Sequence, residues 1–117
     1  MKIAEIACLL QAQILCGQDA MDMELETAFG SDMMSDVLAF STERSLLLTG
    51  LLNPQVVRTA EMLDICCIVF LCGKTPGEFI VELAEEKGIS LLLTKHGMFS
   101  ACGILHANGL LEGANLE

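Results

Sequence analysis

Residues 46–76 read LLLTGLLNPQVVRTAEMLDICCIVFLCGKTP, and this stretch predicts the fold. An apolar run, Leu46–Leu48, ends in a glycine turn, and a helix signal follows at Asn53–Pro54, where asparagine suits the cap and proline the first turn. A second apolar run, Ile65–Leu71, also ends in a glycine turn, and another helix signal follows at Thr75–Pro76. Because strands that alternate with helices form parallel sheets, the stretch predicts an α/β fold.

The residues before this stretch continue the same pattern. The apolar positions of Ile3–Leu10 recur with helical spacing and predict an amphipathic helix. Ile14–Cys16 predicts a short strand, and Glu24–Phe29 alternates charged and apolar residues, as a strand with one wet face does. A short helix is predicted next, with Ser31 or Asp32 as its cap.

The residues after it add two further helices and one strand. Thr75–Glu78 predicts a capping box, and the helix behind it is expected to bury Phe79. Ile89–Leu93 predicts the last strand, Thr94 is predicted to cap the last helix, and the tail after Gly109 is expected to be frayed. We therefore predict a single α/β domain over residues 1–117, with a mostly parallel central sheet between two helical layers.

The composition predicts self-association and excludes several partners. The chain is 53% hydrophobic, with a mean hydropathy of +0.58, which is apolar for so small a domain and predicts a homodimer. The expected interface is a sheet edge or the helix near Ser31, with Met33, Met34 and Leu38 as contacts. With 16 Asp+Glu against 6 Lys+Arg, the net charge of −10 argues against nucleic acid and anionic membranes as partners.

The cysteines predict a reducing compartment. The chain has 6 cysteines but no CxxC pair, so we expect buried, reduced thiols, a cytoplasmic location, no metal site and no cofactor. Lys2 and Glu5 interrupt the first apolar run, which argues against a signal peptide, and no apolar run is long enough to span a membrane. No cysteine has a histidine or acid partner in the sequence pattern, and His96 has no identified partner either, so no catalytic residue is predicted.

Polar residues follow each predicted strand. Because parallel strands end at one edge of a sheet, we expect these residues to meet there and to form a candidate site for a small anion, with two lysines supplying positive charge. The candidates are Ser31, Asp32, Thr49, Gly50, Asn53, Gly73, Lys74, Thr75, Thr94, Lys95 and His96. The alternative interpretation is that the polar residues only cap helices and that the lysines are solvated.

The segments Gly30–Asp32, Ser35–Leu38 and Leu47–Gly50 together resemble the DRTGG domain, which occurs beside CBS domains in regulated pyrophosphatases and in some phosphotransacetylases. The arginine expected after Asp32 is Met33 here, and the second glycine is Leu51. Residues 65–99 also resemble the N-terminal domain of HPr kinase, with Gly-Lys, Glu-Lys-Gly and Thr-Lys in the same order. The resemblance implies a regulatory or dimerising accessory module.

Three functional hypotheses remain open at this point. The first is a non-catalytic regulatory module that self-associates and senses a small anionic ligand. The second is a small enzyme that acts on a phosphorylated or carboxylated metabolite at the carboxyl edge of the sheet. The third is a subunit that docks on a larger partner enzyme.

Overall fold

A six-stranded sheet forms the middle layer of the computed structural model, which describes residues 1–115. The strands are β1 (Gln13–Cys16), β2 (Thr27–Gly30), β3 (Leu46–Thr49), β4 (Cys67–Phe70), β5 (Ser90–Leu93) and β6 (Leu111–Glu112). Their spatial order is β1-β5-β4-β3-β2-β6. Only β1 runs antiparallel to its neighbour within the described part of the chain. The predicted α/β fold with a mostly parallel sheet is confirmed.

Helices cover both faces of the sheet. They are α1 (Ile3–Leu9), α2 (Met34–Phe40), α3 (Pro54–Met62), α4 (Glu78–Glu86) and α5 (Met98–Ala107), with a 3-10 turn at Gln18–Ala20. The core residues of α1 and α5 pack on one face of the sheet, and those of α2, α3 and α4 pack on the other. None of the helices within residues 1–115 has the length and apolar character needed to cross a membrane.

The central strands explain why the core divides into two clusters. Neighbouring residues of a strand point to opposite faces, so Leu46 and Leu48 join the α1/α5 cluster while Leu47 joins the other. All residues of β3 and β4 are buried, as expected for parallel strands covered on both sides. Each such Leu, Ile or Phe side chain contributes about 1.5–3 kcal/mol by burial.

The alternation of parallel strands with helices brings four loops to one edge of the sheet. The parallel strands β2, β3, β4 and β5 all end at this edge, and α2, α3, α4 and α5 begin there. We call it the carboxyl edge.

Several local predictions differ from the structure. Met34 is only 6% exposed and packs in the core, so the prediction that it contacts a second copy is wrong. Phe79 is 59% exposed, because the buried stripe of α4 runs through Ile80 and Ala84 instead. The tail is not frayed at Leu111–Glu112, which pairs with β2; residues 116–117 lie outside the described part of the chain.

Three predicted helix caps are also wrong. Met33 occupies the cap position of α2, Gly77 that of α4 and Gly97 that of α5, and none of them caps with its side chain. The predicted cap at Asn53 is confirmed, since its Oδ1 accepts the N–H of Gln55 at 2.8 Å.

The cysteines are free throughout the chain. Cys16 and Cys67 are buried as predicted, whereas Cys8 and Cys72 are exposed and Cys66 is half-buried, so burial was predicted for too many of them. Burial raises the pKa of the Cys16, Cys66, Cys67 and Cys102 thiols, which keeps them protonated and poorly nucleophilic near neutral pH.

Candidate functional site

All of the predicted site residues lie at the carboxyl edge, at strand ends or in the loops that follow them. They divide into two groups that differ in how their polar atoms are used. The group that follows β2 and β3, here called the aspartate half, consists of Ser31, Asp32, Thr49, Gly50 and Asn53. The group that follows β4 and β5, here called the lysine half, consists of Gly73, Lys74, Thr75, Thr94, Lys95 and His96.

The carboxylate of Asp32 joins the two loops of the aspartate half. Its Oδ1 accepts the backbone N–H of Gly50 at 2.7 Å and the hydroxyl of Thr49 at 3.2 Å. The Thr49 hydroxyl is itself buried and accepts the N–H of Leu51 at 3.1 Å. Hydrogen bonds to an ionised acceptor are short and strong, so Asp32 acts as the anion that this part of the edge binds.

The other two residues of the aspartate half are also engaged locally. Ser31 Oγ accepts the N–H of Met33 at 3.0 Å. Asn53 caps α3, in the extended conformation that a cap residue adopts. The chain therefore supplies side-chain acceptors for the N–H groups of Met33, Gly50, Leu51 and Gln55, while α2 begins without a side-chain cap.

The two loops of the lysine half are joined through their backbones. The N–H of Cys72 donates to the carbonyl of His96 at 2.9 Å, and the N–H of Gly73 donates to the carbonyl of Thr94 at 2.9 Å. Both residues adopt the left-handed conformation, with φ of +62° at Cys72 and +67° at Gly73. Glycine adopts it freely, whereas cysteine is strained there by about 1 kcal/mol or more.

Thr94 is a structural residue of this half. Its side chain is 1% exposed, and its hydroxyl donates to the carbonyl of Leu10 at 2.8 Å while it accepts the N–H of His96 at 3.2 Å. The hydroxyl thus ties the β5–α5 loop to the end of α1 and is not directed to solvent.

The remaining groups of the lysine half are open. Lys74, Thr75 and Lys95 are exposed and His96 is half-buried. Within residues 1–115, neither lysine pairs with a carboxylate. The first-turn N–H groups of α4 and α5 have no side-chain cap, so the partial positive charge of both helix starts faces this half of the edge. The acid nearest to Lys74 in the sequence is Glu78, in the first turn of α4.

Exposed apolar side chains at the carboxyl edge were missed by the sequence interpretation. Phe79 lies in the first turn of α4 and Phe99 in the first turn of α5, and both rings are exposed. Leu52, in the loop after β3, is exposed as well, and so is Met33, which the sequence predicts as an interface contact. The signal available in the sequence was the phase of each helix, which becomes clear only when its first residue is known.

The described residues bring no three His, Cys, Asp or Glu side chains close enough together to hold a metal ion. The arrangement is suited instead to a ligand that accepts hydrogen bonds and carries negative charge, because its open groups are ammonium and backbone N–H donors.

Comparisons with known proteins identify the chain's relatives. The family described as the DRTGG domain matches residues 5–107. A search of curated proteins found no match. Among solved structures, the CBS and DRTGG domains of the regulatory region of Clostridium perfringens pyrophosphatase, in complex with the activator diadenosine tetraphosphate, superpose with a TM-score of 0.73 at 16% identity. The match covers 99% of this chain but only 51% of that one, and at this identity it shows the fold.

Proposed function

The chain belongs to the DRTGG domain family, and we propose that it is a non-catalytic regulatory module that binds a small anionic ligand at the lysine half of the carboxyl edge and self-associates. The ligand proposal rests on two lysines that have no carboxylate partner within residues 1–115. They lie in the loops that lead from the neighbouring strands β4 and β5 to two helix starts without a side-chain cap. The aspartate half lacks this combination, because it contains no lysine and because Asn53 caps α3, although α2 begins there without a side-chain cap.

The geometry favours a phosphorylated ligand. Lys74 and Lys95 supply two point charges, and the helix starts supply directed N–H donors, which together match the several acceptor oxygens of a phosphate group. The net charge of −10 repels anions from the rest of the surface, so affinity depends on these local donors. The phosphate-rich activator bound in the structural neighbour supports this ligand class.

The module is proposed to act with a partner enzyme in the cytoplasm. Support for the partner comes from the structural neighbour, whose DRTGG domain belongs to the regulatory region of a pyrophosphatase. Support for the compartment comes from the free cysteines, two of which are exposed and would be open to oxidation outside a reducing environment. The raised pKa of the buried and half-buried thiols supports a non-catalytic role.

Isothermal titration calorimetry with inorganic phosphate, pyrophosphate and diadenosine tetraphosphate tests the ligand proposal. At least one of the three should bind, and Lys74→Ala should weaken it by about 1.5–3 kcal/mol, the range for hydrogen bonds to charged groups. Lys95→Ala should have an effect of the same order. The matched control is Lys87→Ala, since Lys87 lies at the far end of α4 with its Nζ 3.3 Å from Glu61.

Two outcomes would contradict the proposal. One is equal affinity in Lys74→Ala, Lys95→Ala and Lys87→Ala. The other is that none of the three compounds raises the melting temperature, because a ligand at a hundred times its dissociation constant adds about 2.7 kcal/mol of stability.

A further inference from the structure

A cleft of about 370 Å³ lies between α5 and the strands β2 and β6, on the α1/α5 face of the sheet. Small residues create it. Ala28 and Gly30 line it from β2, and Gly103 lines it from the middle of α5. The buried side chains of Leu48 and Leu105 complete an apolar interior.

The fold explains one of these glycines but not the other. At Gly30, a Cβ atom would lie 2.7 Å from the sulfur of Met98, so any side chain there would have to displace Met98 from its place on β2. At Gly103, a Cβ atom would meet nothing within 4 Å. Glycine in a helix interior lowers helix stability relative to alanine. Packing within the chain therefore does not explain why residue 103 is a glycine.

A projecting aromatic ring stands at the rim of the same cleft. Phe99 is 93% exposed, the highest value among the large exposed hydrophobic residues of the described chain. Leu111, also on the rim, is exposed as well. In a twofold dimer the same patch of each copy meets itself, so the patch must be self-complementary. A projecting side chain beside a cavity meets this condition, because the projection of each copy can fill the cavity of the other.

Charge also favours this surface over the second concavity of the molecule. The rim of the cleft carries one potential cation, His106, and one anion, Glu112, and neither has an ion-pair partner within residues 1–115. A second concavity is lined by one cation, Arg44, and by four acids, Glu24, Glu26, Glu43 and Asp64, of which only Glu24 pairs with the N-terminal ammonium within residues 1–115. In a chain of net charge −10, two copies would repel each other at such a surface.

We propose that two copies of this chain associate through the cleft, each inserting Phe99 into the cleft of the other. This inference rests on the self-association included in the proposed function and names its surface. Of the two interfaces expected from the sequence, a sheet edge or α2, it favours the surface beside the edge strand β6. Leu38 and Phe40 of α2 are exposed and provide the comparison.

Three exposed phenylalanines on different surfaces provide a matched test. Phe99→Ala, Phe79→Ala and Phe40→Ala remove the same atoms from α5, α4 and α2. Sedimentation equilibrium should give a dimer for the wild-type chain at micromolar concentration. Phe99→Ala should raise the dissociation constant at least about 30-fold, as truncation of a central aromatic anchor does. Phe79→Ala and Phe40→Ala should leave it within about threefold.

Two substitutions at the cleft itself test where the ring is placed. Gly103→Leu should fill the cavity and weaken the dimer as much as Phe99→Ala, although Phe99 is still present. Gly103→Ala should retain the fold and raise the melting temperature of the monomeric Phe99→Ala background, because its Cβ meets open space.

The outcomes separate this inference from the proposed function. A monomeric wild-type chain at about 100 µM would remove both this surface and self-association, but not the ligand site, which calorimetry tests independently. A dimer that Phe40→Ala dissociates and Phe99→Ala does not would keep self-association and overturn this surface. A dimer that Phe99→Ala dissociates but Gly103→Leu leaves intact would overturn the insertion into the cleft.

Discussion

The two halves of the carboxyl edge are built from the same strand–loop–helix units, yet they use their polar groups in opposite ways. In the aspartate half, the carboxylate of Asp32 accepts the Gly50 N–H and the amide oxygen of Asn53 caps α3, so that only α2 begins without a side-chain cap. In the lysine half, α4 and α5 begin at Gly77 and Gly97 without a side-chain cap. A helix start needs an acceptor from its own chain, from water or from a ligand. The difference therefore locates the ligand proposal in one half of the edge.

The backbone shows the same division. In the four loops that follow β2, β3, β4 and β5, positive φ values occur only at Cys72 and Gly73, in the lysine half. Strained conformations of this kind are typical of sites where the surrounding structure fixes a loop for a purpose other than stability. Substitutions that remove the internal acceptors of one half, or relieve the strain of the other, test whether the two halves differ in this way.

The largest stability effect is expected in the aspartate half. Asp32→Ala removes the acceptor of the Gly50 N–H and of the buried Thr49 hydroxyl, so the free energy of unfolding should fall by about 2–3 kcal/mol. Urea denaturation measures it. Asp22→Ala is the control, since its side chain is 94% exposed, and it should change stability by less than about 0.5 kcal/mol. Equal effects of the two substitutions would mean that Asp32 is not an internal ligand.

An intermediate effect is expected from the two threonines of the lysine half. Thr94→Val keeps the shape but leaves the Leu10 carbonyl and the His96 N–H without their partner, which should cost about 1–2 kcal/mol of unfolding free energy. Thr75→Val, at an exposed position, should stay within about 0.5 kcal/mol. The same denaturation experiment compares them. A larger loss of unfolding free energy for Thr75→Val than for Thr94→Val would mean that Thr75, and not Thr94, is the structural threonine.

The sequence predicted the sheet and the edge because their signals are local. Apolar runs alternate with helix signals, and the two residues Asn53–Pro54 are enough to predict the capped start of α3. The division of the carboxyl edge into an aspartate half and a lysine half could not be predicted in the same way, because it depends on contacts between distant residues. Thr94 bonds to a carbonyl 84 residues away in the chain, and Cys72 and Gly73 bond to the neighbouring loop. A threonine that precedes a helix looks like a cap in a sequence, and only tertiary contacts show that it has another partner.

The smallest effect, and the one of opposite sign, is expected from relief of strain at Cys72. Cys72→Gly should raise the free energy of unfolding by about 0.5–1 kcal/mol, because glycine adopts a φ of +62° without the steric cost that cysteine bears. The gain is partial, since glycine also gives the unfolded chain more freedom. Cys8→Gly is the matched control. Cys8 is also an exposed, free cysteine, but it lies in α1, where glycine should lower stability by up to about 1 kcal/mol. Thermal melts of both variants under reducing conditions, compared with the wild-type chain, give the two signs directly. A loss of stability in Cys72→Gly would show that the thiol, which lies near Gly97, packs favourably enough to outweigh the backbone, and the lysine half would then be no more strained than the aspartate half.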